Sequence, residues 1–286
     1  MATGNMKDIK RRIKSVGSTR QITKAMELVA SSKLRKAKQR SEKGRPYFEA
    51  QYELLAEIAS VKKDFSTIFT EPREVKSRLF IVIAGDRGLA GGFNSNILRH
   101  AVAAHAGDPE KPKIIAIGRK AVDFFDKRGY ELVGRYPYFA EKMKTANCMD
   151  IAQIAVDLFA SGEVDDVELF YTAFVSPLVQ NPESAKLLPI ANIGTGTGED
   201  NGLINYDPSP DAVFDRVVPI FTMSMISCAV IESFASEQGA RRTAMENATD
   251  NADAMIDNLS LVYNRARQEK ITNEITEIVS GANALS

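Results

Sequence analysis

The stretch of this chain that most resembles a chemical site is the glycine-rich turn "GDRGLAGGFN" (85–94), which follows an apolar run typical of a strand. A strand, a glycine-rich turn and a helix can bind a dinucleotide, because glycines let the backbone approach a pyrophosphate at a helix N-terminus. That fingerprint needs Gly-x-Gly-x-x-Gly, and Arg87 stands at its third position. The next apolar run ends in Gly118 and offers no carboxylate for a ribose. A tight strand-to-helix turn is the better interpretation, and a nucleotide-dependent enzyme with helical arms stays the alternative.

Other residue types that do chemistry are sparse. Cys148 and Cys228 lie far apart without metal-ligand spacing, which is typical of unpaired structural thiols in a reducing compartment. The only histidines, His100 and His105, are too few for a histidine-rich metal site. We therefore expect no catalytic residue, no cofactor and no metal ion, which argues against an enzyme.

Composition indicates a folded chain without a membrane anchor. The 286 residues carry 37 basic and 37 acidic side chains and are 44% hydrophobic, enough for one or two domains. We identify no apolar run that approaches the ~20 residues of a membrane-spanning helix, and so expect no direct membrane span. The start, "MATGNMKDIKRRIK", lacks the apolar core of a secretory signal.

The N-terminal segment, residues 1–61, predicts one long amphipathic helix from about Asp8 onward. Gly17 interrupts it early, and Gly44 with Pro46 marks a weak point. Its apolar residues recur mostly at steps of three and four, which is typical of a coiled-coil seam: Ile9, Ile13, Val16, Ile22, Met26, Val29, Leu34 and Ala37.

The middle segment, residues 77–206, predicts a small α/β domain. The apolar runs at 78–85, 113–118 and 166–174 are typical of buried strands. Helical stretches at 94–106, 120–127 and 150–160 lie between them. Strands that alternate with helices indicate a mostly parallel, Rossmann-like sheet. The loop "GTGTGEDNG" (194–202) leads into the next segment.

The C-terminal segment, residues 211–286, predicts a second long helix, which Pro219 either starts or kinks. Its seam steps by three and four over three heptads, a strong coiled-coil pattern: Met245, Ala248, Ala252, Met255, Leu259, Val262 and Ala266. We expect this helix to pair antiparallel with the first, because both end at the domain between them. The segment is about 20 residues longer than its partner, about 110 Å against about 80 Å.

The final stretch, "RARQEKITNEITEIVSGANALS" (265–286), is therefore expected to extend beyond its partner helix. Its phase breaks after Ala266, where the next apolar residue lies five positions on. A new apolar stripe then follows at helical spacing, made of Ile271, Ile275, Ile278, Ala282 and Leu285. Glu274 and Glu277 share a face of the same helix, which indicates a solvated face or an interface rather than acid–base catalysis. We expect that nothing within this chain covers the stripe.

Charge is unequal between the two helical segments. Residues 7–45 carry 14 basic and 3 acidic side chains, and residues 237–277 carry 5 basic and 8 acidic ones. Opposite signs favour pairing of the segments. A charge excess of this size could also bind nucleic acid, which stays a second alternative. Residues 7–46 contain no aromatic side chain for base stacking, so we expect no nucleic-acid partner.

Four blocks of the sequence are distinctive: "IKRRIKSVGSTRQITKAMELVASSKLRKA" (9–37), "AGDRGLAGGFNSN" (84–96), "SEQGARRTAMENATDNADAMIDNL" (236–259) and "YNRARQEKITNEITEIVSGA" (263–282). They resemble the gamma subunit of F-type ATP synthases, and the resemblance spans the whole chain. The resemblance implies a non-catalytic rotary shaft that couples ion flow through a membrane c-ring to ATP synthesis or hydrolysis in a hexamer of alpha and beta subunits.

The resemblance also implies partners and contact residues. The expected partners are the alpha and beta subunits, the epsilon subunit and the c-ring, at the cytoplasmic face of a bacterial inner membrane or the matrix side of a mitochondrial one. Ile271 and Ile275 would lie in an apolar sleeve of the hexamer. Near the C-terminus, the polar contacts expected with loops of the catalytic subunits are Arg267, Gln268, Thr272 and Glu274. Met26 of the first helix would lie across from them. Glu237 and Arg241 would lie near the lever segment of beta.

Overall fold

The computed structural model describes residues 6–60, 67–143, 145–190 and 206–284. The predicted loop at 194–202 lies outside these residues. The chain forms two compact units, one made of residues 1–30 and 242–286 and the other of residues 31–241. The three segments predicted from the sequence divide the chain elsewhere, and that division stays a prediction.

The larger unit contains a five-stranded sheet with strand order β3-β2-β1-β4-β5. Its strands are β1 (Arg78–Ile83), β2 (Lys113–Ile117), β3 (Leu132–Tyr136), β4 (Asp166–Phe174) and β5 (Gln180–Leu188). The first four run parallel, and β5 pairs antiparallel with β4. The mostly parallel sheet predicted from the sequence is confirmed.

Strands β3 and β5 were not predicted from the sequence, because neither has the apolar pattern of a central strand. Both lie at sheet edges. Strand β5 reads "QNPESAKLL", and most of its side chains are at least partly exposed. Its Pro182 lies opposite Thr172 of β4, and proline is tolerated in a strand mainly at an edge.

Helices cover both faces of the sheet. On one face lie α2 (Phe93–Ala104) and α3 (Arg119–Asp126), which bury Phe80 and Val82 of β1. On the other face α4 (Thr145–Ala160), the start of α5 and the end of α1 bury the alternate residues of β1. Because β1 is covered on both faces, it reads as an unbroken apolar run. Each large apolar side chain buried here contributes about 1.5–3 kcal/mol.

The two long helices are α1 (Met6–Ser60) and α5 (Pro210–Ala284). Pro46 lies inside α1 and Pro219 inside α5. Neither proline ends its helix, so both helices continue through the positions where the sequence predicted a break or a kink. The predicted fold class, a small α/β domain with long N- and C-terminal helices, is confirmed.

The expectation that no apolar run could span a membrane needs correction. Within Pro210–Ser280 of α5, one 18-residue window has a mean hydropathy of 1.8 and passes a test of length and composition for a spanning helix. Half of that window is buried in protein. Val218 and Ile226 are fully buried in the core under the sheet. A core helix passes the same test, because packing against a sheet selects the same apolar residues.

In the smaller unit, α1 and α5 run antiparallel. The hydroxyl oxygens of Thr23 and Thr249 lie 2.8 Å apart and share a buried hydrogen bond. One turn away, the guanidinium of Arg20 donates to the carboxylate of Asp253. Residue numbers rise on one helix as they fall on the other, as the sequence predicted.

The predicted seam of the smaller unit is partly wrong in its residues. Ile22, Val29, Met255 and Val262 are exposed by 60%, 56%, 59% and 47%. Ile9, Met245 and Ala252 are buried, as predicted, but the other buried positions are Thr23, Glu27 and Ala30 on α1 and Thr249 on α5. A search for apolar residues alone passes over threonine and glutamate in a seam. The regular step from Thr23 through Glu27 to Ala30 was the available signal.

Gly118 provides a test of the sheet's geometry. It has a φ of +90°, and a Cβ added there would lie 1.9 Å from the carbonyl oxygen of Ala84. Gly118→Ala is expected to lower the free energy of unfolding by roughly 2–5 kcal/mol, because backbone strain and overpacking add. Chemical denaturation of the purified chain, followed by circular dichroism, measures this loss.

Gly129→Ala is the matched control. Gly129 also has a positive φ of +67°, but a Cβ there would meet no atom within 4 Å. It should therefore show only the strain of roughly 1–2 kcal/mol. Equal losses for the two variants would contradict a close approach of Gly118 to Ala84.

Candidate functional site

The glycine-rich turn after β1 closes on helix α5. The amide of Gly85 donates to Asn94 Oδ1 at 2.7 Å, and Asn94 Nδ2 donates to the carbonyl of Arg87 at 3.1 Å. From α5, Arg241 Nη2 donates to the carbonyl of Gly88 at 3.3 Å and to Glu237 Oε1 at 2.5 Å. Asn94 thus folds the turn, and the Glu237–Arg241 pair attaches it to α5.

The position of Gly85 has no room for a side chain, because the side chain of Glu237 lies against it. A Cβ added at Gly85 would lie 2.9 Å from Cδ and Oε1 of Glu237. The crevice beyond the carboxyl ends of parallel strands is where α/β proteins of this topology bind phosphate groups. Here a carboxylate of the chain itself occupies that position next to β1. The sequence favoured a tight strand-to-helix turn over a nucleotide site, and the contact with Glu237, which was not predicted, accounts for the absence of a side chain at Gly85.

Burial dominates the electrostatics of this pair. Glu237 is 6% exposed, and burial raises the pKa of its carboxyl, whereas the guanidinium of Arg241 acts in the opposite direction. The side chain of Arg241 is only 11% exposed. Both residues therefore have defined partners inside this chain. The predicted contact of Glu237 and Arg241 with another subunit stays a prediction.

The sequence predicted that Met26 lies across from residues 267–274, and this prediction is wrong. The pairing of Thr23 with Thr249 and of Arg20 with Asp253 fixes the register of the two helices. In that register half-buried Met26 lies beside the turn of α5 that begins at Met245. The contact of Met26 with a partner stays a prediction, but Met26 lies at a different position along the helix pair from residues 267–274.

The exposed end of α5, residues 267–280, has every described side chain open to solvent. Ile271, Ile275 and Ile278 are 48%, 56% and 71% exposed. The register of the antiparallel pair explains this exposure, because the first described residue of α1, Met6, lies level with about residue 267. Within the described part of the chain, nothing covers the apolar stripe, as predicted. The side chains of Ala282 and Leu285 lie outside the described residues.

The predicted polar contacts flank this stripe on both sides. At about 100° of rotation per residue, Arg267 and Glu274 lie along one side of the line through Ile271 and Ile275, and Gln268 and Thr272 lie along the other. All of them are exposed. The structure thus brings these residues together on one half of the helix, with isoleucines at the centre and polar groups at the rim.

Glu274 is the one predicted contact of this group with an ion-pair partner among the described residues. Lys270 Nζ lies 3.5 Å from Glu274 Oε1, and both side chains are more than half exposed. An exposed pair of this spacing contributes about 0.3–0.5 kcal/mol. Glu274 can therefore exchange Lys270 for another cation at little cost.

A second set of apolar residues faces outward in the smaller unit and was not predicted from the sequence. Some of them had been assigned to the seam. On α1 they are Ile22, Leu28 and Val29, and on α5 they are Met255, Leu261 and Val262, with exposed fractions between 47% and 71%. A paired helix with apolar residues on its outer surface is typical of a chain enclosed by a partner. The surplus of apolar residues beyond one seam was the available signal.

The described residues contain no group of three His, Cys, Asp or Glu side chains that could hold a metal ion. Cys148 is fully buried, and burial raises the pKa of its thiol to about 12. A thiol that stays protonated is a poor nucleophile and metal ligand. Cys148 therefore packs as a small apolar residue.

Comparison with known sequences gives full-length matches. The profile of the family described as ATP synthase matches residues 5–285. The ATP synthase gamma chain of Ruminococcus albus is 51% identical over 281 residues, covering 97% of this chain and 98% of that protein. The sodium-ion-specific ATP synthase gamma chain of Acetobacterium woodii is 44% identical, covering 99% of each.

Solved structures give the same fold. The central stalk and c-ring structure of the Tetrahymena thermophila mitochondrial ATP synthase contains a chain that matches with a TM-score of 0.62 at 25% identity, covering 79% of this chain and 99% of that one. A chain of the Euglena gracilis mitochondrial ATP synthase, in its OSCP, F1 and c-ring structure, matches with a TM-score of 0.71. It covers 99% of this chain and 95% of that one at 20% identity, which supports the fold alone.

Arg241→Met is expected to destabilise the chain in a pH-dependent way. The variant leaves the buried Glu237 carboxylate without its cation, which costs about 3–5 kcal/mol when the carboxylate is charged. A folded-state pKa above the ordinary value of 4.5 means that stability is lost as pH rises above that value. Removal of the cation raises this pKa further, so the loss should be larger at about pH 7.5 than at about pH 5.

Chemical denaturation at the two pH values measures the effect. The double variant Glu237→Gln, Arg241→Met has no carboxylate to titrate and should lose the extra pH dependence. Arg242→Met removes a charge one residue further along α5 and controls for net charge. A loss that is the same at both pH values would show that Arg241 does not neutralise Glu237.

Proposed function

Because this chain belongs to the ATP synthase gamma-chain family, we propose that it is the rotary shaft that couples ion flow through a membrane c-ring to ATP synthesis or hydrolysis in the alpha/beta hexamer. The chain is a rotor-stalk subunit and not the catalytic one. Catalysis belongs to beta subunits, and this chain changes the state of their sites by turning.

The observation that carries the proposal is the uncovered apolar stripe at the exposed end of α5. Three isoleucines about half exposed or more, on successive turns of one helix, are unfavourable in water. An apolar sleeve formed by the hexamer would bury them. Apolar contacts suit rotation, because they have no hydrogen-bond register that must break at each step.

The polar rim of the same surface supplies contacts that depend on angle. Arg267 and Gln268 can donate hydrogen bonds to carboxylate or carbonyl groups of the surrounding subunits. The hydroxyl of Thr272 can donate or accept a hydrogen bond and the carboxylate of Glu274 can accept one, each on its own side of the stripe. A shaft with unlike sides inside a hexamer of pseudo-threefold symmetry contacts each catalytic subunit differently. Each site is then biased toward a different conformation and nucleotide affinity.

Contacts with the hexamer extend along the smaller unit. The outward-facing residues Ile22, Leu28, Val29, Met255, Leu261 and Val262 offer apolar surface at a second height. Met26 lies in this part of the chain. Near the sheet, Glu237 and Arg241 hold the turn after β1, and we propose that the lever segment of beta presses on this region.

The proposed assembly has partners beyond the hexamer. We propose that the larger unit contacts the c-ring and the epsilon subunit, because a shaft must be fixed to the part that drives it. The most similar relatives reported above are bacterial. The expected location is therefore the cytoplasmic face of the inner membrane, with the chain held there by its partners.

Single-molecule rotation tests the proposal. The chain is assembled with alpha and beta subunits, its larger unit is tagged, and ATP is added. Stepwise turning in one direction, in thirds of a circle, is the expected result. A complex that forms and hydrolyses ATP without turning would overturn the shaft role. Nucleotide binding by the isolated chain, or salt-sensitive binding to nucleic acid, would favour the two alternatives.

Ile275→Asp tests the apolar sleeve. A charge placed in the centre of the stripe would have to be buried without a partner, so affinity for the hexamer should fall by about tenfold or more. Asn273→Asp is the matched control, because it adds the same charge on the opposite side of the same helical turn. Titration of the labelled hexamer with each variant measures both affinities. Equal losses would argue against an apolar environment around Ile275.

A further inference from the structure

The last residues of β4 have one edge without a strand beside them. Strand β4 pairs with β1 only as far as Phe170, whereas its pairing with β5 continues to Phe174. On the β1 side, the peptide groups of Thr172 and Phe174 therefore extend past the paired region. Open peptide groups at the edge of a strand need hydrogen-bond partners when they are buried.

Helix α5 supplies those partners from its side chains. The amide of Thr172 donates to Ser233 Oγ at 3.0 Å, and Ser236 Oγ donates to the carbonyl of Thr172 at 3.0 Å. The amide of Phe174 donates to Glu232 Oε1 at 3.1 Å. Ser233 and Ser236 are 2% and 0% exposed. Three side chains of a helix thus take the place of a neighbouring strand.

The ring of Phe174 adds a packing contact at the same place. Gly239 of α5 approaches so closely that an added Cβ would lie 3.2 Å from the Phe174 ring. Lys38 Nζ of α1 lies 4.6 Å from the centre of that ring. Phe174 also packs against the small apolar cluster of Leu34, Ala37 and Ala235. The end of β4 therefore contacts both long helices.

We propose that Glu232, Ser233 and Ser236 form the joint through which torque passes between the sheet and α5. The inference rests on the shaft function proposed above. Torque on the larger unit can turn α5 only through contacts that resist sliding. Apolar packing resists separation but allows sliding, whereas directed hydrogen bonds to a fixed backbone resist displacement along and around the helix. The burial of Ser233 and Ser236 keeps water from replacing the two hydrogen bonds that they make.

The joint is tested by the torsional stiffness of the assembled rotor. The chain is assembled with alpha and beta subunits, the hexamer is fixed to a surface, and a bead is attached through Lys127→Cys on the larger unit. In complexes stalled without ATP, the spread of bead angles reports the stiffness between bead and hexamer. The double variant Ser233→Ala, Ser236→Ala is expected to widen the angular variance by about twofold, because two of the three hydrogen bonds of the joint are lost.

Ser224→Ala is the matched control. Ser224 is a buried serine of the same helix, and its hydroxyl has no hydrogen-bond partner in the described structure. It should leave the angular variance unchanged. Glu232→Gln keeps an acceptor oxygen for the Phe174 amide and should also stay near the unmodified value. Each serine is also replaced singly, in case the double variant does not fold.

The outcomes separate the joint from a structural role and from the shaft itself. A lower unfolding temperature with unchanged angular variance would overturn the joint, because the serines would then stabilise the fold without carrying load. Equal variance for Ser233→Ala and Ser224→Ala would do the same. If the unmodified complex hydrolyses ATP without turning, the shaft proposal fails and the joint fails with it.

Discussion

Buried peptide groups at the carboxyl end of the sheet must find hydrogen-bond partners, and helix α5 provides them. The sheet leaves the end of β4 unpaired on one side, and the turn after β1 leaves the carbonyl group of Gly88 open nearby. Side chains from two successive stretches of α5 satisfy both. The position of α5 on the sheet therefore follows from hydrogen bonds to backbone atoms, which cannot change rotamer, and not from apolar packing alone.

A different balance holds in the smaller unit, where the seam between the two helices is partly polar. Thr23 and Thr249 face each other, and buried Glu27 accepts a hydrogen bond from Lys24 at 3.0 Å. A polar pair that crosses a coiled-coil seam, such as Thr23 with Thr249, lowers the stability of the seam but fixes its register, because a shifted register would separate the pair. A helix pair that must transmit rotation benefits more from a fixed register than from maximal apolar burial.

The apolar residues that do not face this seam point outward, and they connect the architecture to function. A helix can bury only one stripe against one partner helix. In the smaller unit of this chain, apolar residues occupy more than one stripe, and at the exposed end of α5 no helix of the described chain lies beside them. Such a surface is stable when other proteins enclose it. In the function proposed above, the hexamer of alpha and beta subunits would enclose it.

Local patterns were enough to predict much of this protein. The length of both helices, the three central strands, the antiparallel pairing and the uncovered stripe after Ala266 follow from periodicity and chain length, because helix and strand geometry fix how often a residue returns to one face. The family follows from the long terminal blocks. The edge strands β3 and β5 could not be recognised from the sequence, because a half-exposed strand needs no apolar run.

Only the tertiary structure decided which of several possible stripes is buried and what the glycine-rich turn is for. Ile22 and Thr23 are neighbours on one helix, and the register of the partner helix determined that Thr23 is buried. The turn at Gly85 resembles a phosphate site in sequence, and the carboxylate of Glu237 occupies the space instead. By itself the sequence determined each helix, its faces and its unpaired end, because these depend on neighbours along the chain. Burial, register and the joint between β4 and α5 depend on residues distant in the chain, which local patterns cannot identify.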